Sequence, residues 1–424
     1  MTAMTSQQIK PVSNRRRIAI GLSLLVIGLI IYLLFVLNTQ PGQQATFKLN
    51  LAGTSQAIPI PDLTVPVQPT LYFLIAVIVF LGAWQFARGT RSNGWVAIIV
   101  TFCFIASFLI WATKDNSFSL VGMMASSMVS ATPIALAALC GVICERAAVV
   151  NIGIEGTMLI SAQTAVVSST LTHNIYVGLL VAILTGALVA AIHAVLVIRF
   201  KMDQIVSGTA INIFAVGATS FIAKFYLVKQ INLLNNSDTF PIISVPLLSK
   251  IPVIGPVLFE DNLIFYLTLL LVGVIYVLLF YTPWGLRTRA VGEHPKAADT
   301  LGINVYLTRY VNVIIGGMIA GIGGAYFTIG SVGRFDQNMT NGKGFIGLAA
   351  MIFGNWNPIG AYLASLLFGF ADSLQVKMQI LSVPIPSQFL AMAPYIVTMI
   401  VLTGVVGRAI PPAADGKPYE KEKY

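Results

Sequence analysis

From residue 18 onward the chain is a succession of apolar runs, most of them close to the length of a bilayer crossing and several broken or short, separated by polar connections. They lie at 18–37, 70–87, 95–112, 120–144, 149–171, 175–198, 205–228, 263–281, 310–330, 345–353, 359–376 and 389–406. A helix needs about 20 apolar residues to cross the hydrocarbon core. Backbone polar groups in lipid must be satisfied within the protein, and these runs lack the apolar–polar alternation of a membrane barrel, so they are helices. The fold class is all-α: a polytopic integral membrane helical bundle of about 10–12 transmembrane segments, several of them broken or re-entrant. The 57% hydrophobic and 9% charged content of the 424 residues excludes a water-soluble globular domain.

Charge sets the expected orientation. With the N-terminus inside and 345–376 crossing twice, roughly two-thirds of the 25 lysines and arginines fall on the inner side, which the positive-inside rule favours. Both termini are then cytoplasmic, and the net charge of +10 belongs to inner loops rather than to a nucleic-acid surface. "NRRR" followed by the run 18–37 has no small-residue cleavage site behind it, so it reads as a retained signal anchor. The expected organisation is a cytoplasmic tail 1–17, an anchor helix with external loop 18–68, a transmembrane domain 69–407 and a cytoplasmic tail 408–424. Polar segments 38–68 and 229–262 are placed outside. Cys103, Cys140 and Cys144 and the scattered His173, His193 and His294 read as core residues, with no metal site.

The most informative loop is the inner segment 282–309, "TPWGLRTRAVGEHPKAADTLGINVYLTR". Pro295 suits the first turn of a helix, "KAADTL" continues it, and Gly302 suits its C-terminal end. A helix of two turns does not hold by itself in water and needs something to dock against. Four stretches then carry a resemblance: "ERAAVVNIGIEGTML", "RFKMDQIVSGTAIN", "GLRTRAVGEHPKAADTLGI" and "GFIGLAAMIFGNWNPIGAYLASLLFGFAD". Together they resemble the membrane permease subunits of bacterial ABC importers for simple sugars, branched-chain amino acids and nucleosides. They are most similar to nucleoside permeases that work with a basic-membrane-protein-type lipoprotein.

The resemblance implies that 69–407 is the permease domain and that 282–309 holds the coupling helix inserted into a cytoplasmic ABC ATPase. Gly292, Glu293, His294, Pro295, Lys296, Ala297, Ala298, Asp299 and Gly302 would be the ATPase-coupling residues. The run "AADTLG" is similar to the importers' EAA loop, with Lys296 where a glutamate is commoner. The chain has no phosphate-binding loop of its own, since "NGKGF" lacks the upstream glycine and the hydroxyl. ATP and Mg²⁺ would therefore sit on the partner ATPase, with no cofactor in this chain and no enzymatic step. Further implied partners are a second homologous permease, an extracellular substrate-binding lipoprotein, a nucleoside, most readily a purine nucleoside, and the lipid of a bacterial plasma membrane, with no nucleic acid.

Polar groups inside the spans cost at least about 2.5 kcal/mol each and face protein or water. Glu145 and Arg146 fall at the inner edge, open to an anchoring or a gating role. In "NIGIEG", Asn151, Gly153, Glu155 and Gly156 mark a non-helical turn. Glu155 either contacts the solute or pairs with Arg146 or with backbone N–H groups. Gln204, Ser207 and Asn212 form a stripe that is either interhelical glue, at roughly 0.6 kcal/mol per bond, or a set of ligands for ribose and base. "FGNWNPIGA" reads as a re-entrant break, in which Asn355, Trp356 and Asn357 either stack on a nucleobase or anchor at the interface. Glycines between 316 and 333 suit close helix contacts. Two alternatives stay open: a permease for sugars such as ribose, and an ion-coupled carrier using Glu155 or Asp372.

Overall fold

The computed structural model describes residues 14–51, 60–87, 89, 94–381, 386, 388–389, 392 and 409–421; the run 389–406 lies almost wholly outside them. Among the described residues nine helices are long and apolar enough to cross a membrane. The chain divides into two compact units.

The first unit comprises the described residues up to Val121 together with the end of the last helix from Met378. It contains α1 (Asn14–Ile31, continued by a wider turn to Val36), α2 (Val67–Ala87) and α3 (Gly94–Ala112). α1 and α2 are antiparallel: the Arg17 guanidinium at the start of α1 donates to the carbonyls of Phe86 (2.5 Å) and Ala87 (2.7 Å) at the end of α2. A cation here satisfies carbonyls that have no intrahelical partner. The polar stretch expected to be an external loop carries a small sheet instead. β1 (Gln44–Lys48) pairs antiparallel with β2 (Leu63–Pro66) and parallel with β3 (Ser117–Ser119), in register Thr46↔Thr64 and Thr46↔Ser117. The permease domain was expected from residue 69, whereas α2 and α3 group with α1 and this sheet.

The second unit contains α4 (Leu120–Arg146, from Gly122), α5 (Ile154–Thr172), α6 (Ile175–Ala194), α7 (Gln204–Ile222) and α8 (Ile231–Leu234). After β4 (Ile243–Ser244), α9 (Ile254–Leu258) and β5 (Glu260–Asp261) come α10 (Leu263–Tyr281), α11 (Pro283–Glu293), α12 (Pro295–Thr300), α13 (Val305–Phe327), α14 (Lys343–Phe353) and α15 (Pro358–Ile380). Helix starts follow local chemistry. Asn174, Asp203, Asn262 and Asn304 each accept from first-turn amides, for example Ile205 N to Asp203 Oδ1 at 2.9 Å. α14 has 11 residues, about 16 Å at the helical rise, half of a bilayer core. The two crossings expected across 345–376 are thus a half-length helix preceded by irregular chain and one full-length helix.

The centre of this unit is α5 against α6 and α13. Along α6, Gly178, Ala182, Gly186 and Ala190 recur every fourth residue and are buried, while Leu180, Leu184, Leu188 and Ile192 recur every fourth residue and are exposed. Lipid offers no hydrophobic drive between helices, so the small residues face protein and let backbones close up, and the leucines face the acyl chains. A Cβ on Gly186 would sit 2.2 Å from the Gly317 carbonyl of α13. α5 itself falls outside the nine, and its many buried polar side chains are accommodated because nearly every face touches protein.

Gly186→Leu is expected to destabilise the unit by about 1–3 kcal/mol or more through overpacking, seen as a lower Tm in detergent. Leu184→Ala, on the exposed face two residues away, should stay within about 0.5 kcal/mol.

Candidate functional site

Among the polar residues singled out between 145 and 212, Arg146, Glu155, Gln204 and Asn212 meet backbone groups beside breaks in the helices, while Glu145, Asn151 and Ser207 meet other side chains. The turn 147–153 follows α4, and Ala148 there has φ 61°. Val150 N donates to Gln204 Oε1 at 2.6 Å. Asn212 spans the turn's end, donating to the Ile152 carbonyl (2.9 Å) and accepting from Gly156 N (2.7 Å). Ser207 Oγ lies 3.0 Å from His193 Nδ1, whose Nε2 lies 3.0 Å from the Val150 carbonyl. Asn151 Nδ2 faces the sulfurs of Cys140 and Cys144 at 3.9 Å. Gln204, Ser207 and Asn212 are thus brought together with Asn151 and Gly153 as the seam between α7 and the turn. His193 completes that seam; its place three residues after Ala190, on the side of α6 that carries the small stripe, was the available signal.

Glu155, at the start of α5, reaches the segment before α14. Its Oε1 accepts from Thr340 Oγ1 (2.6 Å) and Gly342 N (2.8 Å), and its Oε2 from Gly344 N (2.6 Å). Of the partners considered for it, backbone N–H groups are the ones it meets, and "NGKGF" is the stretch that supplies them. Two residues along, Lys343 Nζ pairs with Asp372 Oδ2 of α15 at 2.7 Å, with both side chains largely enclosed.

Between α14 and α15, Asn355 and Trp356 adopt φ of 53° and 52°, a left-handed pair that turns the chain sharply. Trp356 is buried, and its indole donates to Glu145 Oε2 at 2.5 Å. Arg146 donates from Nε to the Trp356 carbonyl (2.9 Å) and from Nη2 to the Asn355 carbonyl (3.3 Å). Asn357 caps α15 through Ile359 N at 2.9 Å. The end of α4 and this turn therefore form one joint, in which Glu145 and Arg146 act as a pair of clamps.

The loop 282–309 contains one more helix than expected. α11 precedes α12, capped by Thr282 accepting from Gly285 N (3.2 Å). His294 caps α12 by accepting from Ala297 N (3.2 Å), Pro295 takes its first turn, and Gly302 follows at φ 80°. Ala297 and Lys296 face outward. Ala298 is turned inward, in a cluster with Val291, Val305 and Tyr419. Leu301, at the tip, is 82% exposed. Glu293 Oε2 and the Gly292 carbonyl accept from Ala413 N (3.2 Å) and Ala414 N (3.0 Å) of the C-terminal segment, and Asp299 lies 3.9 Å from Lys421. Those last contacts had no signal in the sequence, because the tail is polar and proline-bearing.

Burial pushes the Asp415 carboxyl of that segment up to about 6, against the hydrogen bond with Glu145, the Gly416 N–H and the Arg309 charge, which pull it down. The Glu145 and Asp415 carboxyls thus meet at the C-terminal end of α4.

This arrangement of long apolar helices, some interrupted around an enclosed polar seam, is that of a multi-pass membrane protein. Residues 123–407 match the family described as branched-chain amino acid transport system / permease component, and the chain belongs to it. The chain is similar to the guanosine ABC transporter permease protein NupQ of Bacillus subtilis, 43% identical over 70% of this chain and 96% of that protein. It is similar to the nucleoside ABC transporter permease protein NupC of Lactococcus lactis, 43% identical over 71% and 97%. It also matches the guanosine ABC transporter permease protein NupP of Bacillus subtilis, 25% identical over 60% and 73%. No solved structure matches. The family match begins at residue 123, so α1–α3 and the small sheet of the first unit lie before it, and only that unit's short piece from Met378 falls within it.

Glu155→Gln keeps one acceptor oxygen where three donors converge. It is expected to cost about 1–3 kcal/mol through an unsatisfied buried N–H, read as a drop in Tm. For Asp415, a folded-state value raised to about 6 from about 3.9 means that docking of 409–421 is strongest below pH 4 and weakens as pH rises through 6. Amide exchange of that segment, corrected for intrinsic rates, should be faster at pH 7.5 than at pH 5, and Asp415→Asn should remove the difference.

Proposed function

We propose that this chain is the permease subunit of an ATP-driven importer carrying nucleosides, purine nucleosides such as guanosine first among them, into the cell. The observation that supports it most is the 43% identity spanning almost the whole length of two relatives named for guanosine and nucleoside transport. ATP and Mg²⁺ are held by a separate ATPase, which docks on α11 and α12 from the cytoplasm, where both termini also lie. An extracellular lipoprotein delivers the solute, and a second, related permease completes the pore. Similarity to both NupQ and NupP of one organism favours a paralogue in that role.

The mechanics follow from the joint geometry. α12 is too short to hold alone, yet Ala298 is fixed among Val291, Val305 and Tyr419, so a push on it moves the feet of α11 and α13 together. Helices with two packings then exchange the side to which the cavity opens. No covalent step acts on the solute. The seam residues Asn151, Gln204, Ser207 and Asn212 and the turn Asn355–Asn357 shape the route by holding the breaks that bound it.

The test is uptake into proteoliposomes holding the chain with its ATPase, second permease and receptor. ATP-dependent accumulation of guanosine is expected. Accumulation of glucose or ribose in its place would move the solute to sugars, and uptake by the chain alone on an ion gradient would contradict the assignment. Leu301→Glu should weaken ATPase co-purification about tenfold or more, as removal of an exposed interface anchor does, with Tm unchanged.

A further inference from the structure

The family match stops at residue 407, and the segment just beyond it, 409–421, is held along its length by the second unit. Ile410 N donates to Asn355 Oδ1 (3.1 Å) in the α14–α15 turn. Ala413 N and Ala414 N bind the end of α11. The Asp415 carboxyl meets Glu145 at the end of α4. The Lys417 carbonyl accepts from Arg309 Nη1 (3.0 Å) on α13. Tyr419 is buried against Tyr306, ring centroids 5.3 Å apart, beside Val291 and Ala298. Glu420 pairs with Lys201 before α7, and Lys421 approaches Asp299 on α12. A solvated tail would show none of this.

The joint under the segment is tight. A Cβ on Gly292 would lie 2.2 Å from the Arg146 carbonyl, so the end of α11 sits flush on the end of α4. The same Gly292 carbonyl receives Ala414 N. The segment thus bridges the elements that carry α12 and the clamp that holds the α14–α15 turn.

One feature of this contact is left incomplete. Arg309 is 2% exposed, and its enclosed Nε and Nη2 have no hydrogen-bond partner; nor does Oδ1 of the half-buried Asp415, an atom that is itself enclosed. The two charges are near enough to interact but do not bond. Unsatisfied buried polar groups of opposite charge favour any arrangement that brings them together. Asp415 therefore has two discrete partners: Glu145 on α4, which it meets here, and Arg309 on α13, which it would meet after a small shift. Two such pairings make a two-state element of the kind that carries coupling between sites.

We propose that 409–421 is a transmission strap, with Asp415 and Tyr419 as positioning residues. It stays with α11–α13 through Tyr419 when the motor pushes on α12, and Asp415 exchanges Glu145 for Arg309, releasing the end of α4 and the α14–α15 turn. The proposal rests on α11 and α12 being the site where the ATPase acts.

The experiment measures ATP hydrolysis and guanosine uptake together in the reconstituted complex. Tyr419→Ala is expected to keep hydrolysis within about twofold while uptake per ATP falls about tenfold; Tyr419→Phe, which keeps the ring and the backbone carbonyl, should restore the wild-type ratio. An unchanged ratio in Tyr419→Ala overturns the strap. Should that variant fail to assemble, Asp415→Asn decides: uptake per ATP should fall about tenfold with hydrolysis within about twofold, and an unchanged ratio overturns the proposal. A wild-type complex without ATP-driven uptake would overturn the functional assignment, and the strap with it.

Discussion

Lipid leaves a backbone N–H or C=O nowhere to bond except within the protein, and the second unit interrupts its helices twice near its centre. The chain's unusual polar side chains follow from that constraint. Glu155 serves two backbone amides and one hydroxyl at the start of α14, Asn212 joins the end of the turn at Ile152 to the first turn of α5 at Gly156, Gln204 serves Val150, and Arg146 serves the carbonyls of a left-handed turn. A charged or amide side chain in this setting offsets its own desolvation by satisfying groups that would otherwise be orphaned. The breaks are thereby fixed in place, which a transport route needs, because loose irregular chain inside a membrane would have no defined shape to switch.

What could be read from the residues alone was whatever depends on one segment at a time. Apolar run length located most of the spans, Pro295 and Gly302 bounded α12, and Gly153 marked the end of a true break, whereas Glu155 and Gly156, expected in the same turn, are already helical in α5. Properties that depend on two distant segments were less visible. Glu155 could be narrowed to a few partners, but "NGKGF", nearly two hundred residues away, had been considered only as a failed phosphate loop. Trp356 has the look of a stacking platform in isolation, and its indole is spent on Glu145. α5 reads as one more apolar run, although its polar content marks a helix surrounded by protein. The tail beyond 408 is polar and short, and its partners are single backbone groups and one tyrosine, a pattern that no periodicity reveals.

The structure also separates the general from the particular. The matched family region supplies the packed helices, the two breaks and the exposed helix pair α11–α12. Outside it lie α1–α3 with their small sheet, and the segment 409–421. Stiffness and movement are divided in the same way within the second unit: glycine and alanine stripes lock α5, α6 and α13, whereas α11 and α12 sit at the end of longer helices and touch the rest through a few residues. A push delivered there reaches the interior only through joints that are already closed, which is what a rigid lever requires.

The most direct test of the constraint that organises this protein is hydrogen–deuterium exchange on the membrane-embedded chain, read over 149–156 and 341–344. If the side chains named above complete the backbone at the breaks, the amides of Val150, Gly156, Gly342 and Gly344 exchange as slowly as those in the middle of α13. Exchange at the rate of an exposed loop would mean that the breaks are open to water and that the carboxylate and amides are held there for something other than the backbone.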